Sequence, residues 1–136
     1  MSRLLLKRVS GFTLPELLVV LVIIGILLLL ALPNLTPLIS RTRSVEAQQQ
    51  LNFLYTLQKN HFYLHSRYSD SFEELGFEHQ SLVADGGSAN YRIEIAEATP
   101  NTFVARATAV VDFDGDGVFN VWEINHEKKL IEVIKD

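Results

Sequence analysis

The stretch GFTLPELLVVLVIIGILLLLALPNL, Gly11 to Leu35, decides how the rest of the chain is read. From Phe12 to Leu35 there are 24 residues, and Glu16 is the only charge among them. At about 1.5 Å per residue such a helix is roughly 36 Å long, enough to cross a hydrocarbon core of about 30 Å. A carboxylate in a membrane-length segment costs up to about 2.5–3.5 kcal/mol at the bilayer centre and less towards the interface. Glu16 therefore predicts a specific partner. Arg3, Lys7 and Arg8 precede the run, an arrangement that keeps the basic end of a membrane segment in the cytoplasm.

A secretory signal carries its small-residue cleavage site behind the apolar stretch. Here that position holds ALPNLTPL, with prolines in place of an Ala-x-Ala. On topology alone, an uncleaved signal anchor is one reading. The order basic patch, Gly11, Phe12-Thr13-Leu14-Pro15-Glu16, then an unbroken apolar run resembles the class III leader of type IV pilins and type II secretion pseudopilins. The resemblance covers the N-terminal third of the chain. It implies that a prepilin peptidase cuts after Gly11 and methylates the new amino terminus at Phe12. It also implies that the Glu16 carboxylate pairs with a terminal amine during assembly with identical or related pilin subunits on an inner-membrane, ATPase-driven platform. The physics agrees, because an amine and a carboxylate inside a helix bundle neutralise each other, whereas either alone is expensive. Gly25 and Pro33 sit where this family often places a glycine and a proline. Pro15 departs from the more usual aliphatic residue, and a proline is tolerated in a first helical turn because its missing N–H has no intrahelical partner there.

The resemblance divides the chain into a leader at 1–11, a transmembrane and assembly helix at 12–35, and a periplasmic pilin-like domain at 36–136. The implied localisation is the inner membrane in a single pass, then a periplasmic or extracellular filament. Removing Arg3, Lys7 and Arg8 from a net charge of −4 leaves −7 for a chain beginning at Phe12, a balance that repels nucleic acid over most of its surface.

After Pro37 the segment RTRSVEAQQQLNFLYTLQKNHFYLHSRY has no glycine or proline and is rich in helix formers. On a helical wheel Ala47, Leu51, Phe53, Leu54, Tyr55, Leu57, Phe62, Leu64 and Tyr68 spread over an arc of roughly 200°, wider than the ~100° stripe a core-facing helix needs. One part of that arc can serve a sheet and another face neighbours, or both can be buried within one domain. His61 and His65 stand four apart, as two metal ligands on one helix face would, but the Glu of an H-E-x-x-H motif is missing and no third ligand lies nearby in sequence. Ser71 three residues before Glu74, with Gly76 behind, predicts one short helical turn.

Alternation of Tyr91, Ile93 and Ile95 with Arg92 and Glu94 is the period-two pattern of a half-buried strand. In FVARATAVV the residues Phe103, Ala105, Ala107 and Ala109 share one face, small enough for a helix to approach closely. NVWEI and KLIEVIK supply two more strands. The expectation is α+β, a long N-terminal helix on an antiparallel sheet of three or four strands, which is also the layout the pilin resemblance implies.

Between the second and third strands lies DFDGDGVFNVWE. Asp112, Asp114, Asp116, Val118, Asn120 and Glu123 occupy positions 1, 3, 5, 7, 9 and 12 of an EF-hand loop, with Gly117 at position 6. Six to eight oxygens must converge on a Ca²⁺ ion, and a turn pivoting on glycine brings alternate side chains to one centre. The flanking helices of an EF-hand are missing, so the loop reads as a calcium site grafted onto a sheet edge, with a solvated Asp-Gly turn as the alternative. The chain has no cysteine, which excludes a disulfide framework. Major pseudopilins use a C-terminal calcium site where many pilins use a disulfide, although their usual Pro-Trp-Gly segment is absent here. No Ser/His/Asp order or phosphate-binding glycine loop points to an enzyme. The leading reading is a structural filament subunit. The alternative is a membrane-anchored monomeric periplasmic calcium-binding protein, which has no use for Glu16.

Overall fold

The computed structural model describes residues 10–32 and 36–136, in two units divided between Leu35 and Thr36. The basic residues Arg3, Lys7 and Arg8, and Pro33, lie outside the described residues.

The first unit is one helix, α1, Leu14–Ala31. At about 1.5 Å per residue it is roughly 27 Å long. Thr13 caps it in an extended conformation (φ −82°, ψ 157°), and Pro15 sits in its first turn, where a missing N–H costs nothing. Apolar side chains cover the helix on every side, and none is buried within the unit. A helix that is hydrophobic all round needs lipid or other helices around it.

The second unit begins with α2, Thr36–His65. Pro37 falls in its first turn and leaves the helix intact. The chain then reverses through Ser66 in the left-handed region (φ +58°) into a short helix α3, Phe72–Leu75. Ser71 caps α3 by accepting the Glu74 N–H, and Gly76 ends it at φ +70°, as its sequence predicts. Four strands follow, β1 Tyr91–Ala98, β2 Phe103–Ala109, β3 Val121–Asn125 and β4 Leu130–Ile134, paired antiparallel in the order β1-β2-β3-β4. This is the expected α+β arrangement, with four strands.

The core forms where α2 crosses β1, β2 and β3. Ala47, Leu51 and Leu54 of α2 are fully buried against Phe103, Ala105, Ala107 and Ile124. The alanines of β2 alternate with Val104, Arg106 and Thr108 on the other face, and their small size lets the helix backbone come close. Tyr91 and Ile93 of β1 join the core, while Ile95 is only partly buried beside a bulge at Ile95/Glu97. The buried stripe of α2 is narrower than the apolar arc of its sequence and continues through polar residues, Gln58 and His61, while Phe53 and Leu64 face solvent. Gln58 Nε2 donates to the Ser69 carbonyl at 2.6 Å, and the Ser69 N–H donates to Gln58 Oε1 at 3.0 Å. These two bonds tie the end of α2 to the returning chain.

Candidate functional site

Two places carry the predicted site residues, one in each unit. At the start of α1, Glu16 is the third helical residue, and its Oε2 accepts the Thr13 N–H at 2.8 Å. This is the glutamate half of a capping box, which satisfies a backbone donor that the helix itself leaves free. Ser10 to Thr13 lie outside the helix. Gly11 and Phe12 therefore sit in non-helical backbone directly before the helix cap, with Phe12 87% exposed.

In the second unit, the connection from β2 to β3 is the acidic loop. Asp112 accepts the N–H of Gly115 on Oδ1 and that of Gly117 on Oδ2, each at 2.6 Å. Asp114 accepts the Asp116 N–H at 3.0 Å, and Asp116 accepts the Val118 N–H at 2.7 Å. Gly115 (φ +82°) and Gly117 (φ +86°) take the left-handed conformation that lets the chain coil around these carboxylates. The Gly117 N–H, followed by that of Gly115, holds the Asp112 carboxyl below its ordinary range against the opposing effect of desolvation.

Asp112, Asp114 and Asp116 are brought together as the spacing predicts, and a fourth carboxylate joins them. One oxygen from each of Asp112, Asp114, Asp116 and Asp136 lies within 4.8 Å of all the others. Oxygens at 2.3–2.6 Å from a shared Ca²⁺ are at most about 5 Å apart, so the four fit one cation. Asp136 Oδ2 accepts the Phe113 N–H at 2.9 Å, and its Oδ1 is buried without a hydrogen-bond partner among the described residues. Such an orphaned acceptor is an energetic liability that a cation relieves.

The other half of the EF-hand pattern departs from expectation. Glu123, expected at position 12, sits on β3 facing away from the core, where its Oε1 accepts from Arg106 Nε at 2.7 Å and Nη2 at 2.6 Å. It is not in the carboxylate cluster. An EF-hand delivers its last ligand from the first turn of a helix, whereas here a strand follows, and its alternation aims Glu123 across to Arg106, its partner in register. Asn120, expected at position 9, is 1% exposed and turned inward. It accepts the Tyr91 hydroxyl at 2.7 Å and donates to Glu132 Oε1 at 2.7 Å and the Ile134 carbonyl at 2.9 Å. It is a buried strut between β1, β3 and β4. Burial first, and then the carboxylates of Glu46, Glu132 and Asp136, push the Tyr91 phenol up, so it stays a donor to Asn120. Val118 keeps its place in the loop and is 39% exposed. Asp136 was not legible as a site residue, because it is distant in sequence and only the β3–β4 pairing returns it to the loop.

His61 and His65 stack with ring centroids 4.5 Å apart. His61 Nδ1 is bonded to the Arg67 carbonyl at 2.9 Å, and Nε2 faces Glu74 at 3.6 Å. The pair belongs to the packing at the end of α2.

An apolar N-terminal helix opened by a capping glutamate, and a helix crossing a four-stranded antiparallel meander, make an α+β, pilin-like arrangement. Residues 6–32 match the family described as "Prokaryotic N-terminal methylation motif". Over 89 residues the chain is 42% identical to "Type IV major pilin protein PilA" of Myxococcus xanthus (strain DK1622), an alignment covering 65% of this chain and 39% of that protein. The chain thus spans about two fifths of the length of the curated relative it matches. The methylation motif and this relative are similarities to the type IV pilin family.

Proposed function

We propose that the protein is a structural subunit of a type IV pilus, or of a type II secretion pseudopilus, with no catalytic centre of its own. A prepilin peptidase cuts it between Gly11 and Phe12 and methylates Phe12, and an inner-membrane platform assembles it with like subunits through α1. The observation that carries this reading is Glu16, a lone carboxylate on an otherwise apolar helix within a methylation motif. The similarity to a major pilin favours the pilus. Glu16 Oε2 is occupied by its own cap N–H, while its second oxygen is available to a neighbouring subunit's terminal amine.

The reading includes a calcium ion held by Asp112, Asp114, Asp116 and Asp136 in the second unit. The donor set is all oxygen, as Ca²⁺ requires, and the otherwise unpartnered Asp136 Oδ1 suits a cation. The ion would act as a staple in a chain without cysteine.

Processing is the deciding test. Co-expression with a prepilin peptidase is expected to yield a chain that begins at Phe12 and bears an N-methyl group, read by mass spectrometry of the mature protein. A chain retaining Met1, or cut beyond Leu35, would sink the pilus reading and favour a membrane-anchored periplasmic protein.

A further inference from the structure

The outer edge of β1 is held by a side chain. β1 pairs with β2 on one side only, so its other edge presents backbone groups that need partners. One of them, the Ile93 N–H, donates to His79 Nε2 at 2.8 Å. The other ring nitrogen, Nδ1, lies 2.6 Å from the Gln80 carbonyl. These two backbone partners leave one assignment of protons. An N–H can only donate and a carbonyl can only accept, so Nε2 is the acceptor and Nδ1 carries the hydrogen. His79 is a neutral imidazole of the Nδ1–H tautomer, and this latch exists only while the ring is neutral.

We propose that His79 is an acid-released latch on the β1 edge. Protonation converts Nε2 from acceptor to donor and sets it against the Ile93 N–H, so the bond cannot survive. The ring is exposed and open to solvent protons. Histidine is the side chain that changes charge between about pH 5 and 8.

The groups facing the ring determine where it goes. A small cavity beside it is lined by Glu46 and Gln50 of α2 and by Tyr91 and Ile93 of β1. The titratable groups there are Glu46 and Tyr91, with Glu78 adjacent in the chain. The Tyr91 hydroxyl is committed to Asn120. Glu46 holds Asn90, accepting its N–H at 2.8 Å and its Nδ2 at 2.9 Å, and is the carboxylate on the α2 side towards which an imidazolium is drawn. The latch therefore exchanges one partner for another: neutral His79 accepts the Ile93 N–H, and charged His79 turns towards Glu46 and releases it. The segment from Ser81 to Ala89 is bonded to itself, by Val83 N–H to Ala89 O at 2.8 Å and Ala89 N–H to Ser81 O at 3.0 Å, so it stays folded when the latch opens. What is freed is the Ile93 N–H on the β1 edge.

The test uses the full chain in detergent micelles and follows amide exchange at Ile93 by NMR, corrected for the intrinsic pH dependence. Protection of the Ile93 amide is expected to fall roughly three- to tenfold between about pH 8 and pH 5, the fold-change that loss of one hydrogen bond produces. His79→Gln places an acceptor oxygen where Nε2 stands but does not titrate, so its protection should stay high and flat with pH. His79→Phe should be low and flat. Nitrogen shifts of the His79 ring, read on the same sample at pH 8, should report Nδ1–H. Flat protection in the wild type, an unchanged pH response in His79→Gln, or an Nε2–H ring at pH 8 would each overturn the latch.

Discussion

Under the proposed function, Glu16 serves two states. In the single chain its carboxylate caps α1 through the Thr13 N–H, satisfying a backbone donor that the helix terminus leaves free. In an assembled bundle the same carboxylate can meet an amine, a pairing that only a buried, low-dielectric setting makes decisive. Glu16→Gln keeps the capping bond, since a glutamine completes a capping box equally well, but removes the charge. Glu16→Val removes both. If assembly needs the charge, both variants should be cleaved after Gly11 much as the wild type is, and both should fail to form filaments, as seen by electron microscopy of sheared surface fractions. Filaments from Glu16→Gln at the wild-type level would reduce Glu16 to a helix cap.

At the scale of elements, α2 is held at its end by polar contacts. Gln58 is fully buried and bonds the Ser69 backbone in both directions. Lys59 Nζ reaches the Tyr68 hydroxyl at 2.9 Å, which raises the Lys59 ammonium above its usual range. Gln58→Leu should cost roughly 2–4 kcal/mol, since the Ser69 N–H and C=O are both left buried without a partner, and Phe53→Ala, at a half-exposed position, under about 1 kcal/mol. Urea unfolding of the full chain in micelles separates the two. The contrast also explains what was legible beforehand. Periodicity marked α2, the β1 alternation and the alanine face of β2, because local pattern and burial coincide there. It placed Phe53 and Leu64 in a broad apolar arc and passed over Gln58 and His61, because their partners, the carbonyls of Ser69 and Arg67, exist only once the chain has reversed at Ser66. The acidic loop divides in the same way. Asp112, Asp114 and Asp116 lie within one turn and were readable from spacing. Glu123 was lost to Arg106 across a strand pair, and Asp136 arrives through the β3–β4 hairpin, which spacing cannot show.

For the second unit as a whole, Asp136 joins parts that are far apart in sequence. Its Oδ2 accepts from Phe113 at the entry of the acidic loop, its carbonyl accepts the Ser40 hydroxyl of α2 at 2.9 Å, and it lies two residues beyond the end of β4. A cation shared by Asp136 and the loop would therefore clamp β4 and the β2–β3 connection at one point and, through Ser40, steady the first turns of α2. If it binds only the folded state, it contributes RT ln(1 + [Ca²⁺]/Kd), about 2.7 kcal/mol at a hundredfold excess over Kd, a large share of the stability of a domain of this size. The expected result is a melting temperature roughly 10 °C or more higher in calcium than in chelator, read by calorimetry on the full chain in micelles. The titration should extend to millimolar calcium, because exposed modules of this kind bind at about 10⁻⁴–10⁻³ M. Asp114→Ala and Asp136→Asn should remove most of the increment. Glu123→Gln should leave it intact while weakening the Arg106 pair equally with and without calcium, which separates the observed carboxylate cluster from the EF-hand pattern of the sequence. Acid should erase the effect with a definite sign. The Asp112 carboxyl is held below its ordinary range, so its contribution is present above the usual aspartate value of about 3.9 and is lost as pH falls through the lowered one. At pH 7 the Asp112 part of the difference between calcium and chelator is therefore free of protonation. Equal protection by Mg²⁺ at the same concentration would show general charge screening in place of a coordinated ion, because Mg²⁺ demands a smaller, near-octahedral shell than Ca²⁺ does.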